Sequence, residues 1–104
     1  MNNLLYYEDK EIKENEIRAL ALLDAERFPQ AEKFLLKNLA KKTSSLLTYN
    51  LLIKIYSRDI MENSSFSSLI RTLNSAIKNT GNAGFYRKLK KQALMFRLNS
   101  LIAS

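Results

Sequence analysis

The residues best equipped for chemistry lie in two clusters of opposite sign. Glu8, Asp9, Glu11, Glu14 and Glu16 crowd the start of the chain, and Arg87, Lys88, Lys90 and Lys91 crowd its far end. Carboxylates this close together could hold an oxygen-ligated cation. Here Lys10, Lys13 and Arg18 are interleaved with them, and alternating signs along a helix mark a solvated face instead. Histidine and cysteine are both absent. Without them there is no zinc site of the usual kind, no imidazole base, no Ser-His-Asp triad and no thiolate nucleophile. Gly81 and Gly84 do not make a phosphate-cradling loop. No catalytic, cofactor-binding or metal-ligating residue is expected, so the reading is a non-enzymatic protein.

The basic cluster belongs to a wider asymmetry. Residues 1–35 hold eight acids and five bases, whereas residues 36–104 hold two acids and twelve bases, and no acid follows Glu62. A surface so one-sided attracts something negative: an acidic protein, nucleic acid or an anionic lipid surface. The competing explanation is complementarity to the chain's own acidic N-terminal helix.

These side chains must be positioned by helices. One proline and two glycines in 104 residues leave little material for the turns of a many-stranded fold. The first helix is expected over about Glu8 to Arg27, with Ile12, Ala19, Leu20 and Leu23 at helical spacing and residues 1–8 as its fraying end. Pro29 stops it and opens the second helix, whose apolar face is Ala31, Leu35, Leu36, Leu39 and Ala40. Thr43, Ser44 and Ser45 offer caps to a third helix, about Ser45 to Arg58. That helix is apolar nearly all round, which predicts a central, enclosed position. A cap from Asn63, Ser64 or Ser65 opens the fourth, with Phe66, Leu69, Ile70, Leu73, Ala76 and Ile77 inward and Gly81 as its C-terminal stop. The fifth runs from about Ala83 to near Ile102, with Phe85, Leu89, Ala93 and Phe96 expected inward. The expected class is therefore all-α, one domain of about five antiparallel helices.

An offset of 37 residues brings Lys41, Thr43, Tyr49 and Leu52 onto Lys78, Thr80, Tyr86 and Leu89, and helix pairs of this length are the units of helical solenoids. The run Ala19-Leu20-Ala21-Leu22-Leu23, followed by Phe28-Pro29-Gln30-Ala31-Glu32-Lys33, resembles the inner helix, turn and outer-helix start of a tetratricopeptide-like unit. The resemblance spans about Ile17 to Phe96. The family's usual first-helix glycine and unit-ending proline are missing. It implies a groove that holds a peptide or helix of another protein; the alternative architecture is an irregular five-helix bundle.

The fifth helix carries the site expectation. Leu94, Leu98 and Leu101 fall opposite its expected inward face, with Arg87, Lys90, Lys91 and Arg97 around them, and an apolar stripe there needs a cover. The first helix, a partner chain or a second copy in a homodimer could supply it. These seven residues are the expected contacts of a small adaptor or chaperone-like module that captures a partner helix in an apolar groove with a basic rim. The alternative is a basic nucleic-acid-binding regulator with the same cations on phosphates, although no recognition-helix or RNP-type signature is present. Met1 to Tyr7 lacks the basic start of a signal peptide, and no run reaches the ~18 apolar residues of a membrane span, so a cytoplasmic protein is expected.

Overall fold

In the computed structural model the chain forms five helices: α1 (Asn2–Asp24), α2 (Phe28–Ala40), α3 (Leu46–Ser57), α4 (Asn63–Asn79) and α5 (Ala83–Ala103). The backbone is described for residues 2–103 and side chains for residues 10–103. The class is all-α, and no strand occurs among the described residues. No helix there is long and apolar enough to cross a membrane. The α1 helix begins six residues earlier than its periodicity suggests; the expected fraying of residues 1–8 concerns side chains outside the described set.

Successive helices reverse direction and pack in chain order. Each of α2, α3 and α4 lies between its two sequence neighbours, whereas α1 packs on α2 and α5 on α4. The result is elongated, 53 × 31 × 17 Å, with a radius of gyration of 14.6 Å, against about 13 Å for a globular chain of this length. Ala19, Ala31, Leu35, Tyr49, Leu52, Leu69, Leu73, Ala76 and Tyr86 are buried in one core. The α3 helix supplies most of its centre, as its all-round apolarity requires, although Leu46 and Leu47 at its first turn stay exposed.

The helix ends show which local signals the chain uses. Pro29 sits in the first turn of α2, where its missing N–H costs nothing. Both α1 and α2 end in a left-handed residue that is not glycine, Glu26 (φ 59°) and Lys42 (φ 55°). After α1, the amides of Glu26 and Arg27 donate to the carbonyls of Leu23 (3.0 Å) and Leu22 (2.8 Å), the paired bonds of a Schellman end. Lys42 N–H donates likewise to Leu39 (2.9 Å). Gly81 does not act as a left-handed stop, since no glycine has a positive φ. The hydroxyl of Thr80 closes α4 instead, donating to the Ala76 carbonyl at 2.8 Å. Of the two N-cap expectations, one holds in position and one fails: Ser45 is the N-cap of α3, though its side chain makes no capping bond, and the N-cap of α4 is Glu62.

Candidate functional site

The acidic end is a structural joint. Asn15 and Glu16 are buried, with Asn38 of α2 and Thr48 of α3. Asn38 accepts from Asn15 Nδ2 (2.9 Å) and donates from its own Nδ2 to the Ile12 carbonyl and to Thr48 Oγ1, both at 3.0 Å. Thr48 passes the chain on, donating to Glu16 Oε2 at 2.6 Å, and Ser45 Oγ donates to the same oxygen at 2.5 Å. Among the described residues no buried side-chain polar atom lacks a partner. A satisfied network of this kind fixes the relative register of α1, α2 and α3, because any slip would orphan several groups at once. The expectation that Glu16 belongs to a solvated acidic face is therefore wrong; Glu11, Glu14 and Lys13 do face solvent, and Glu11 pairs with Lys41. No cluster of carboxylates able to hold a metal ion occurs among the described residues.

A groove runs between α2 and α4 with α3 as its floor. Cavities of about 370 and 520 Å³ adjoin along it and share Glu32, Tyr56 and Ser68. Tyr56 donates its hydroxyl to the Glu32 carboxylate. Burial first, then that bond and the negative charge of Glu32, push the Tyr56 hydroxyl well above its ordinary pKa of 10.0. At the mouth, Arg58 lies over the Phe28 ring at 3.7 Å. Within the groove Glu32 is engaged with Tyr56, and Arg71 and Thr72 with Ser68.

The fifth helix is rotated from its expected setting. Tyr86 is buried, and Leu89, Lys90, Ala93, Arg97 and Ser100 are half-buried, while Phe85 and Phe96 stand 54 % exposed. At 100° per residue the inward face has turned by roughly 45°. Two contacts set the rotation. Tyr86 packs edge-on against Tyr49 at 6.3 Å and donates its hydroxyl to Asn50 Oδ1 at 2.9 Å. Arg97 stacks on Phe66 at 4.4 Å and bonds Asn63. A tyrosine and an arginine thus replace the two phenylalanines expected inward, because their polar tips reach partners on α3 and α4.

Of the expected contact residues, Arg87, Lys91, Leu94, Leu98 and Leu101 are exposed, Lys90 is half-buried, and Arg97 is held by α4. The exposed five recur at i, i+4, i+7, i+11 and i+14, one stripe along α5 with two cations at its N-terminal end and three leucines at its C-terminal end. Met95 and Ile102 (51 % and 74 % exposed) widen the apolar end, and Phe96 (54 % exposed) lies on the opposite flank of the helix. Sequence periodicity missed Phe96 by assigning it inward; Arg97 beside it, facing a helix whose first residue is Asn63, was the available signal. At the opposite edge of the molecule, Ile17 and Leu20 of α1 are exposed too.

The loops preceding α3 and α5 are built alike. Thr43 Oγ1 accepts from the Ser45 amide (3.1 Å) and Thr80 Oγ1 from the Asn82 amide (3.2 Å). Six residues after each threonine stands a buried tyrosine, Tyr49 or Tyr86. No protein-family model, curated protein or solved structure matches this chain.

Proposed function

We propose that this protein is a non-enzymatic binding module, a tetratricopeptide-like array of helix pairs that captures a helix of a partner protein on α5. The observation that carries the reading is the half-covered state of α5. It is 21 residues long, its Tyr86–Leu89–Ala93–Arg97 side meets the fold among the described residues, and its exposed surface carries Leu94, Leu98 and other large apolar side chains rimmed by cations. Apolar surface grouped in this way marks an interaction site. The matched threonine loops and the chain-order packing support the repeat reading. The engaged polar groups of the joint, in a chain without histidine or cysteine, support a role without catalysis.

The same cations would suit nucleic acid, and one experiment separates the two. Affinity for phosphates scales with cation count and falls steeply with salt, whereas helix capture depends on apolar burial, with charge acting mainly on encounter. In nuclease-treated pull-downs, Leu94→Ser with Leu98→Ser is expected to abolish partner recovery, and Lys90→Ala with Lys91→Ala to retain most of it. Salt-sensitive recovery of RNA or DNA that survives the leucine changes would overturn the adaptor reading.

A further inference from the structure

One cavity belongs neither to the polar joint, nor to the α2–α4 groove, nor to α5. It opens between the end of α1 and the first turns of α2, measures about 400 Å³ and is lined by Leu22, Arg27, Gln30, Lys33, Phe34 and Lys37. Leu22 and Phe34 are half-buried and make its apolar floor, while Gln30 and the three cations are exposed around them. Arg27, Gln30, Phe34 and Lys37 recur at i, i+3, i+7 and i+10, so they line one side of α2 and its N-cap. No carboxylate lines the cavity, although residues 1–35 as a whole carry more acids than bases.

We infer that this cavity is a binding site for a small phosphate monoester with an apolar body. Its cations are gathered without a counter-charge. Among the described residues the ion pair formed is Lys41 with Glu11, and none of Arg18, Arg27, Lys33 and Lys37 takes part in one. Arg18 and Lys37 instead both approach the Phe34 ring, at 5.7 and 5.1 Å from its centre. The ring attracts each of them, but the two repel one another, and an anion beside them would offset that repulsion. The size and the floor define the rest of the ligand. A cavity of this volume lies in the range of small-molecule sites, which combine an apolar lining with a few polar groups. Leu22 and Phe34 offer apolar surface to an alkyl or aryl body. Three lining cations suit a phosphate, which carries about −1.5 to −2 charges near neutrality, better than a singly charged carboxylate, and the arginine fork pairs with two phosphate oxygens at once. Lys37 also borders a neighbouring cavity that holds Glu11 and Glu14. The phosphate is therefore assigned to the Arg27–Lys33 end and the apolar body to Leu22 and Phe34. This site is separate from the α5 surface and does not rest on the adaptor reading.

The test is a titration of the isotope-labelled protein with octyl phosphate, followed by the backbone amide resonances. Binding is expected to saturate with a Kd of about 1 mM or tighter, the range open to a ligand of so few atoms. The shifts should centre on Leu22, Gln30, Lys33 and Phe34. Inorganic phosphate lacks the apolar body, octanol lacks the charge and octylammonium reverses it, and each should bind at least about tenfold more weakly. Arg27→Ala with Lys33→Ala should weaken octyl phosphate at least about tenfold while the fold is kept, since both side chains are exposed. Lys54→Ala with Lys88→Ala removes the same charge from elsewhere and should leave the affinity unchanged. Equal binding of octanol or octylammonium, shifts centred on α5, or parental affinity in the Arg27→Ala, Lys33→Ala protein overturns the inference. So does retention on vesicles containing phosphatidic acid by a protein that fails to bind free octyl phosphate, because the surface would then be a membrane contact. None of these outcomes bears on the leucine dependence that tests the adaptor reading.

Discussion

The joint of α1, α2 and α3 and the free half of α5 invert the usual arrangement in opposite ways. The joint buries Asn15, Glu16, Asn38 and Thr48, while α5 exposes Leu94, Met95, Phe96, Leu98 and Ile102. Burying polar groups is tolerable where each finds a partner, and at the joint each does. Exposing apolar groups is tolerable one at a time but costs solubility when they are grouped. Register is thus held by polar bonds where the molecule is closed, and apolar surface is kept where it is open.

The sharpest way to break this comparison is at Asn38. Asn38→Ala removes the partner of Asn15 and of the Ile12 carbonyl and leaves a cavity. It is expected to destabilise the fold by about 4 kcal/mol, each orphaned buried group contributing roughly 1–3 kcal/mol. A denaturant melt that moves by less than about 1 kcal/mol would show the network to be incidental.

The second prediction compares leucines across the two regions. Leu52 is fully buried and Leu98 is 53 % exposed. Leu52→Ala should cost about 3 kcal/mol, within the range for buried leucines, and Leu98→Ala less than about 1 kcal/mol, as surface changes do. Equal costs would mean that α5 is enclosed on both faces and the proposed capture surface is core.

The smallest effect concerns pH. The Tyr56 hydroxyl titrates above its ordinary pKa of 10.0 in the folded protein, so the unfolded chain loses that proton first as the solution becomes alkaline. Its contribution is complete below pH 10 and declines as pH rises towards the folded value, by at most about 1.4 kcal/mol per pH unit for one proton. Urea midpoints measured from pH 9 upward should fall less steeply for Tyr56→Phe than for the parent. Identical slopes would separate Tyr56 from the alkaline transition.

Much of the open region was legible in the chain, and little of the closed one. The stripe through Leu94 and Leu98 and its cations needed only helical spacing, because both leucines stay exposed on the surface of α5. The rotation of α5 was not legible: Phe85 and Phe96 outrank Tyr86 and Arg97 in hydrophobicity, and Tyr49, Asn50, Asn63 and Phe66 on other helices reverse the choice. Glu16 was misread for a similar reason. A glutamate between Asn15 and Ile17 has the local signature of a solvated face, and what buries it are two hydroxyls 29 and 32 residues away.

The sequence by itself determined the helices, the break at Pro29, the central place of α3 and the basic, acid-free C-terminal third, since these follow from local periodicity, backbone restriction and charge. Tertiary structure alone decided which face of α5 points inward, which polar residues could be buried, and how far α5 would be left uncovered. Those outcomes depend on hydrogen-bond and stacking partners that are distant in the chain, and one-dimensional spacing carries no information about them.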